Sequence, residues 1–247
     1  MSGSKSAIVT GSSRGIGAAI ARAAARDGFD VCVNYVRDEA AAETVADDVR
    51  AAGRRAVVVQ ADTGRESDIL RLFETAEAEL GYIDALVNNA GISGGRSLIE
   101  DVTAEALEEV FRINVSGYFL CAREAVRRMS TARGGNGGLI VNVSSIASVI
   151  SGAFDWVHYG ASKAAVDTFT KGLALETAAQ GIRCNSVRPG MVETEIHWPG
   201  RIEKIVPSVP LKRIASPEEV AEAVMWLLSD RASYCTGTHI DVTGGRG

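Results

Sequence analysis

The sequence predicts one doubly wound α/β domain, a seven-stranded parallel sheet with helices on both faces. Three observations carry this expectation. Seven short β-branched runs alternate with longer amphipathic ones along the chain. Those runs are apolar nearly throughout, as parallel strands covered on both faces must be. The 247 residues show no Pro/Ser-rich linker and no break in composition, so residues 1–247 read as a single domain.

The elements follow in order. Strands are expected at Ala7-Ile8-Val9-Thr10, Val31 to Tyr35, Ala56 to Gln60, Ala85 to Asn88, Leu139 to Val143, Ile182 to Val187 and His239 to Val242. In the first helical run, Ile16, Ile20 and Ala24 share one face while Arg22 and Arg26 lie elsewhere. Gly28, Gly53, Gly81 and Gly181 each follow a helical run, at the position of a left-handed cap. Long helices are expected over about 103–130 and 159–180. Ser216-Pro217-Glu218-Glu219 combines an N-cap serine, a proline at the first helical position and a glutamate three residues after the cap. That helix should run to about Leu228. The glycine run Gly134 to Gly138 is expected to be a mobile surface loop and not a phosphate cradle.

Composition narrows the function classes. Lys plus Arg is 26 against 31 for Asp plus Glu, a formal charge of −5, and there is no basic run. That is the wrong sign for a nucleic-acid binder. With 46% hydrophobic and 23% charged residues, the chain matches a folded globular protein. No apolar stretch approaches the length of a membrane span. Met1 to Ser6 has neither a basic n-region nor an apolar h-region, so no signal peptide is expected. Cys32, Cys121, Cys184 and Cys235 are widely spaced, and there are three histidines. This pattern fits neither a zinc site nor a disulfide framework, and it makes a reducing cytoplasm the expected compartment.

Two motifs carry chemistry. Thr10-Gly11-Ser12-Ser13-Arg14-Gly15-Ile16-Gly17 joins the first strand to the first helix. Glycines there let the backbone approach a pyrophosphate, and the helix start offers free N–H groups. The spacing is GxxxGxG, not the commoner GxGxxG. Tyr159 and Lys163 stand four residues apart in a helical run, hence on one face. A lysine ammonium beside a phenol is expected to lower the phenol's pKa from about 10 and make Tyr159 a usable general acid/base.

Further motifs appear in a fixed order: Asn88-Asn89-Ala90-Gly91 after the fourth strand, Asn114 in the next helix, Ser144-Ser145 after the fifth strand, and Pro189-Gly190 after the sixth. With the glycine loop and Tyr-x-x-x-Lys, the set covers nearly the whole chain and resembles the short-chain dehydrogenase/reductase family. The glucose 1-dehydrogenase-like and 3-oxoacyl-[acyl-carrier-protein] reductase-like branches look most similar. The resemblance implies a single Rossmann-type domain and an oxidoreductase that interconverts a carbonyl and a secondary alcohol. It leaves a sugar, an acyl thioester or another ketone open as substrate. A cofactor-binding regulator of the same fold is the rival reading.

The resemblance also implies roles. Tyr159 would exchange the proton, Lys163 would tune it and hold the nicotinamide ribose, Ser145 would polarise the reacting oxygen, and Asn114 would anchor a proton-relaying water. Ser145 stands 14 residues before Tyr159, one more than usual, which a one-residue insertion within 149–157 would explain; Ser144 is the alternative. Cofactor contacts are implied for Gly11, Ser13, Arg14, Gly15, Ile16, Gly17, Asn34, Tyr35, Arg37, Asp62, Thr63, Asn89, Ala90, Gly91, Pro189, Gly190, Val192 and Thr194, with Tyr159 and Lys163. NAD-preferring relatives carry an acid where Tyr35 stands. Arg14 and Arg37 would instead flank an adenosine 2′-phosphate, so NADP(H) is expected over NAD. No metal is implied. A substrate lid is expected over about 191–215, carrying His197 and Trp198, with Phe154, Asp155 and Trp156 facing the same cavity. No Arg or Lys cluster here marks a strongly anionic substrate, with Arg96, Arg201 and Lys204 left open as anion contacts. A homotetramer, or alternatively a homodimer, is the implied assembly.

Overall fold

At the centre of the sheet, β1 (Lys5–Val9) pairs with β2 (Phe29–Tyr35) on one side and β4 (Ala85–Asn88) on the other. The computed structural model describes residues 4–195 and 200–247. With β3 (Ala56–Gln60), β5 (Gly138–Val143), β6 (Ile182–Pro189) and β7 (His239–Val242), the sheet runs β3-β2-β1-β4-β5-β6-β7, with every strand pair parallel. The order reverses between β1 and β4. In an open parallel sheet that reversal leaves a crevice beyond the strands' carboxyl ends.

Side chains alternate across the pleat into two cores. Ala7, Val9, Val31 and Val33 face α1 (Gly15–Arg26), α2 (Glu39–Ala51) and α9 (Pro217–Leu228). Ile8, Cys32 and Leu86 face α3 (Glu66–Leu80), α5 (Gly117–Met129) and α7 (Val157–Thr177). Alanine fills most of the inner face of α1, which lets that helix pack closely on the sheet and on α9. The expected cap of α9 is present. The Ser216 hydroxyl accepts from the Glu219 N–H, and the Glu219 carboxylate accepts from the Ser216 N–H at 3.0 Å.

Three expectations change. The helix expected over 103–130 is α4 (Ala104–Phe111), a π-helical turn at Arg112–Ser116, and then α5. Thr10 lies just past β1, where its hydroxyl serves the loops instead of the ladder. The glycine run 134–138 is a surface loop, but it is tightly pinned. The Gly135 and Gly137 N–H groups donate to Ser130 and Met129 carbonyls, and the Tyr82 hydroxyl donates to the Gly137 carbonyl at 2.6 Å. It lies at the start of β5, opposite the crevice.

Candidate active site

The glycine loop meets the loop after β4 at the crevice. Gly11 has φ +62°, and a Cβ there would lie 2.9 Å from the Ala90 Cα. At Gly17 a Cβ would fall on the Gly11 carbonyl oxygen. Both positions need glycine, one for conformation and closeness and the other for closeness alone. Thr10 ties the loops together, its hydroxyl accepting from the Asn89 N–H at 2.9 Å and the Ala90 N–H at 3.1 Å. The Asn89 side chain donates back to the Thr10 and Gly11 carbonyls. No side chain caps α1, whose first-turn N–H groups therefore open onto the crevice. Thr194 overhangs this cradle, its Cγ2 lying 3.3 Å from where a Gly15 Cβ would be.

Several expected cofactor residues act as braces. Asn34 is fully buried; its Oδ1 accepts from the Gly11 N–H at 2.9 Å, and its Nδ2 donates to the Ala61 and Val59 carbonyls. Its side chain shapes the loop from beneath and has no surface left for a ligand. Ser12, which the sequence did not single out, completes this brace by donating to the Val9 carbonyl and accepting from the Asn34 N–H. Tyr35 is buried at the strand end against Glu39. Asp62 is held by Arg112 at 3.0 Å and accepts from the Gly64 N–H, while Thr63 is buried beneath α5. Arg14 and Arg37 are both exposed, and Arg14 pairs with Glu195 at 2.5 Å. Gly190 packs against Thr243 of the loop after β7, and the Pro189 carbonyl accepts from the Ile146 N–H.

The catalytic candidates gather at the ends of β4 and β5. The Tyr159 phenol faces Ser145, whose Oγ accepts from the Ala147 N–H at 3.1 Å. Ser144 turns the other way and donates to the Lys163 carbonyl at 3.1 Å. The longer serine–tyrosine spacing is taken up by α6 (Ala147–Ile150) and a turn in which Ser151 and Phe154 adopt positive φ. Lys163 is buried, its Nζ donating to the Val143 carbonyl at 2.8 Å and the Tyr118 hydroxyl at 3.3 Å. Nζ stands 5.7 Å from the Tyr159 ring centre.

The expected pKa direction for Tyr159 does not hold in this geometry. Burial raises the phenol above 10, although the Ser145 hydrogen bond and the Arg201 charge pull it down. The same burial lowers the Lys163 ammonium to about 7. A lysine whose own charge is disfavoured, and which points at Val143 and Tyr118, does little for its neighbour. Asn114 sits beneath the chain that follows β4. It lies in the π turn, fully buried, accepting from the Ile92 N–H and donating to the Ile92 carbonyl and the Ser162 hydroxyl. Its amide therefore clamps the chain after Gly91. Tyr118, the shared partner of Lys163 and the Val143 carbonyl, carries no recognisable motif in the sequence.

Comparison with known proteins agrees with this fold. A family model described as enoyl-(acyl carrier protein) reductase matches residues 11–246. The glucose 1-dehydrogenase 2 of Bacillus subtilis is 37% identical, over 98% of this chain and 94% of its own. The chain is a short-chain dehydrogenase/reductase. An uncharacterized oxidoreductase of Escherichia coli strain K12, YgfF, is 48% identical over 97% of this chain and 99% of its own. A blue fluorescent protein from a metagenomic library, solved in complex with NADPH, superposes with a TM-score of 0.93 at 34% identity, over 99% of this chain and 98% of its own. The chain is thus an oxidoreductase of this family, built for a nicotinamide cofactor and a small-molecule substrate. Among the described residues, no helix is long and apolar enough to cross a membrane.

In this short-chain dehydrogenase/reductase, the segment expected to form the lid leaves and re-enters the domain through a stitched neck. Val192 bridges Ala215, the Glu193 N–H donates to the Ala215 carbonyl, and the Ala215 N–H donates to the Met191 carbonyl. Between them, α8 (Arg201–Ile205) lays Arg201 over the Trp156 ring at 3.7 Å from its centre. Trp156 in turn meets Tyr159 edge-on at 5.6 Å between centres. Asp155 pairs with Arg96 at 2.9 Å. Phe154 and Lys204 are exposed. His197 and Trp198 lie outside the described residues.

Proposed function

We propose that this enzyme interconverts a carbonyl and a secondary alcohol with NADP(H), using Tyr159 as general acid/base. The observation that supports this most is the convergence of Tyr159, facing Ser145, and a buried Lys163 beside a glycine cradle with an uncapped helix start. The cradle fits a pyrophosphate: glycines keep side chains out, and the uncapped α1 N–H groups would hold the anion. Arg14 and Arg37 would take the 2′-phosphate, which their exposure leaves accessible. Asp62, Thr63, Asn89, Ala90, Gly91 and Thr194 would line the rest of the cofactor groove. When bound, the nicotinamide supplies or accepts the hydride.

The protein's own part is proton movement and placement. The Ser145 hydroxyl donates to the substrate oxygen where negative charge develops. The Tyr159 Oη gives that oxygen its proton in reduction and takes it in oxidation. Lys163 titrates near neutral pH, so its Nζ passes a proton either way. Asn114 holds the chain after Gly91, against which Nζ packs. The 191–215 segment covers the substrate and excludes water. Four unpaired cysteines accord with work in the cytoplasm, and exposed Phe119 and Leu175 accord with association into a homotetramer.

The test is Tyr159→Phe, assayed with NADPH against diketones, quinones, sugar lactones and acetoacetyl thioesters. Turnover should fall at least about 100-fold, while NADPH binding stays within about twofold. Retained turnover would remove Tyr159 from the mechanism.

A further inference from the structure

Arg112 opens the π turn that also carries Asn114, and the proton chemistry does not use it. Glu109 grips its guanidinium with both carboxylate oxygens, which accept from Nε and Nη2 at 2.7 Å each. The remaining nitrogen, Nη1, donates to the Asp62 Oδ2 at 3.0 Å. Gly64 makes room for this, since a Cβ there would fall on the guanidinium. The other Asp62 oxygen, Oδ1, accepts from the Gly64 N–H at 2.9 Å. Arg65 stands 3.6 Å from Oδ2 but is largely exposed, and such pairs hold weakly. A carboxylate oxygen can accept two hydrogen bonds, so Asp62 keeps acceptor capacity, with 20% of its side chain exposed. Held at both oxygens, the carboxylate is not free to turn that capacity elsewhere.

The topology says what this acceptor would meet. With a pyrophosphate at the start of α1, beyond the central β1, the reacting end of the cofactor lies toward β4 and β5. The other nucleoside then extends over β2 and β3, and Asp62 follows β3 (Ala56–Gln60) closely. An acceptor-only group suits a base that presents an amino group and opposes one that presents a carbonyl oxygen. We propose that Arg112 is a positioning residue for base recognition: it fixes the Asp62 carboxylate so that the enzyme prefers an adenine cofactor to its hypoxanthine counterpart. This rests on the cofactor reading above, which puts Asp62 in the groove and gives Arg112 no part.

The experiment is fluorescence titration of the full-length enzyme with NADPH and NADH, each beside its hypoxanthine counterpart. The wild type should bind the adenine form about tenfold more tightly, as expected for one hydrogen bond to a charged group. Asp62→Ala should erase that preference. Arg112→Gln should erase most of it by weakening the adenine form while the hypoxanthine form is almost unchanged, and Arg112→Lys should keep part of it. Gly64→Ala retains Arg112 but crowds its guanidinium off Asp62. It should therefore act as Arg112→Gln does, and it decides the matter if that variant fails to fold. In the Asp62→Ala background, Arg112→Gln should change the preference no further. Equal weakening of both forms by Arg112→Gln and Gly64→Ala would mark a merely structural role and overturn the proposal. Parity of the two bases in the wild type, or a preference that survives these substitutions, would overturn it as well. Binding of neither cofactor by the wild type would sink the cofactor reading and this proposal together, whereas cofactor binding with base parity sinks only this one.

Discussion

Lys163 shows how a single side chain carries both a function and a cost. Its Nζ has two hydrogen-bond partners and no nearby carboxylate close enough to cancel the desolvation of its charge. The folded protein therefore releases this proton near pH 7, whereas an unfolded lysine keeps it to about 10.4. Between those values the unfolded chain holds more protons, so stability should rise with pH. Lys163→Met removes the titration and keeps much of the volume. Without bound cofactor, the variant should exceed the wild type in stability most at pH 7 and below. The gap should narrow by at most about 1.4 kcal/mol per pH unit toward pH 10. Urea denaturation at pH 7 and 9 measures this, and parallel pH dependences would show that Lys163 does not titrate there. The adjacency of Tyr159 and Lys163 was legible from their four-residue spacing. The direction of the Tyr159 pKa was not, because its burial is set by segments packed around it that lie far apart in sequence.

At the scale of elements, α1 is the part that the site uses most directly. Its first turn is uncapped and its Gly17 lies against the Gly11 carbonyl, so helix, loop and strand share one tight junction. Gly17→Ala puts a methyl group on backbone that has no rotamer to give. Overpacking of this kind costs about 1–3 kcal/mol. The shift of α1 away from β1 should also weaken NADPH binding at least tenfold. Gly28→Ala at the other end of α1 is the control: φ is +93° but the space is open, so it should destabilise without altering cofactor affinity. Thermal unfolding and NADPH titration of the two variants separate these effects; equal affinity loss would deny the junction its role. The capping box of α9 was readable because its residues lie within four positions. The π turn at Arg112–Ser116 was not, since one wider turn leaves the apolar periodicity almost intact. Yet that turn is what aims Asn114 at Ile92.

Across the whole molecule, the sheet was legible because each strand is a short apolar run, and the order of motifs then fixed which strand ends form the crevice. The fastening of the C-terminal residues to the lid segment was invisible, since it depends on the Leu211 N–H meeting the Gly244 carbonyl after β7. Charge is likewise local and not global. A protein of formal charge −5 offers no general attraction to an anionic cofactor, so preference for the 2′-phosphate must come from cations within reach of it. Among the described residues, the Arg14 guanidinium is engaged by an exposed pair with Glu195, three-quarters accessible on both sides, of the kind worth about 0–1 kcal/mol. A phosphate dianion competes easily with such a partner. Replacing Arg14 and Arg37 together with Ala should weaken NADPH binding at least tenfold and leave NADH within about twofold, because NADH lacks the group they would hold. Fluorescence titration of both cofactors measures it, and equal losses for NADPH and NADH would move the preference to other residues.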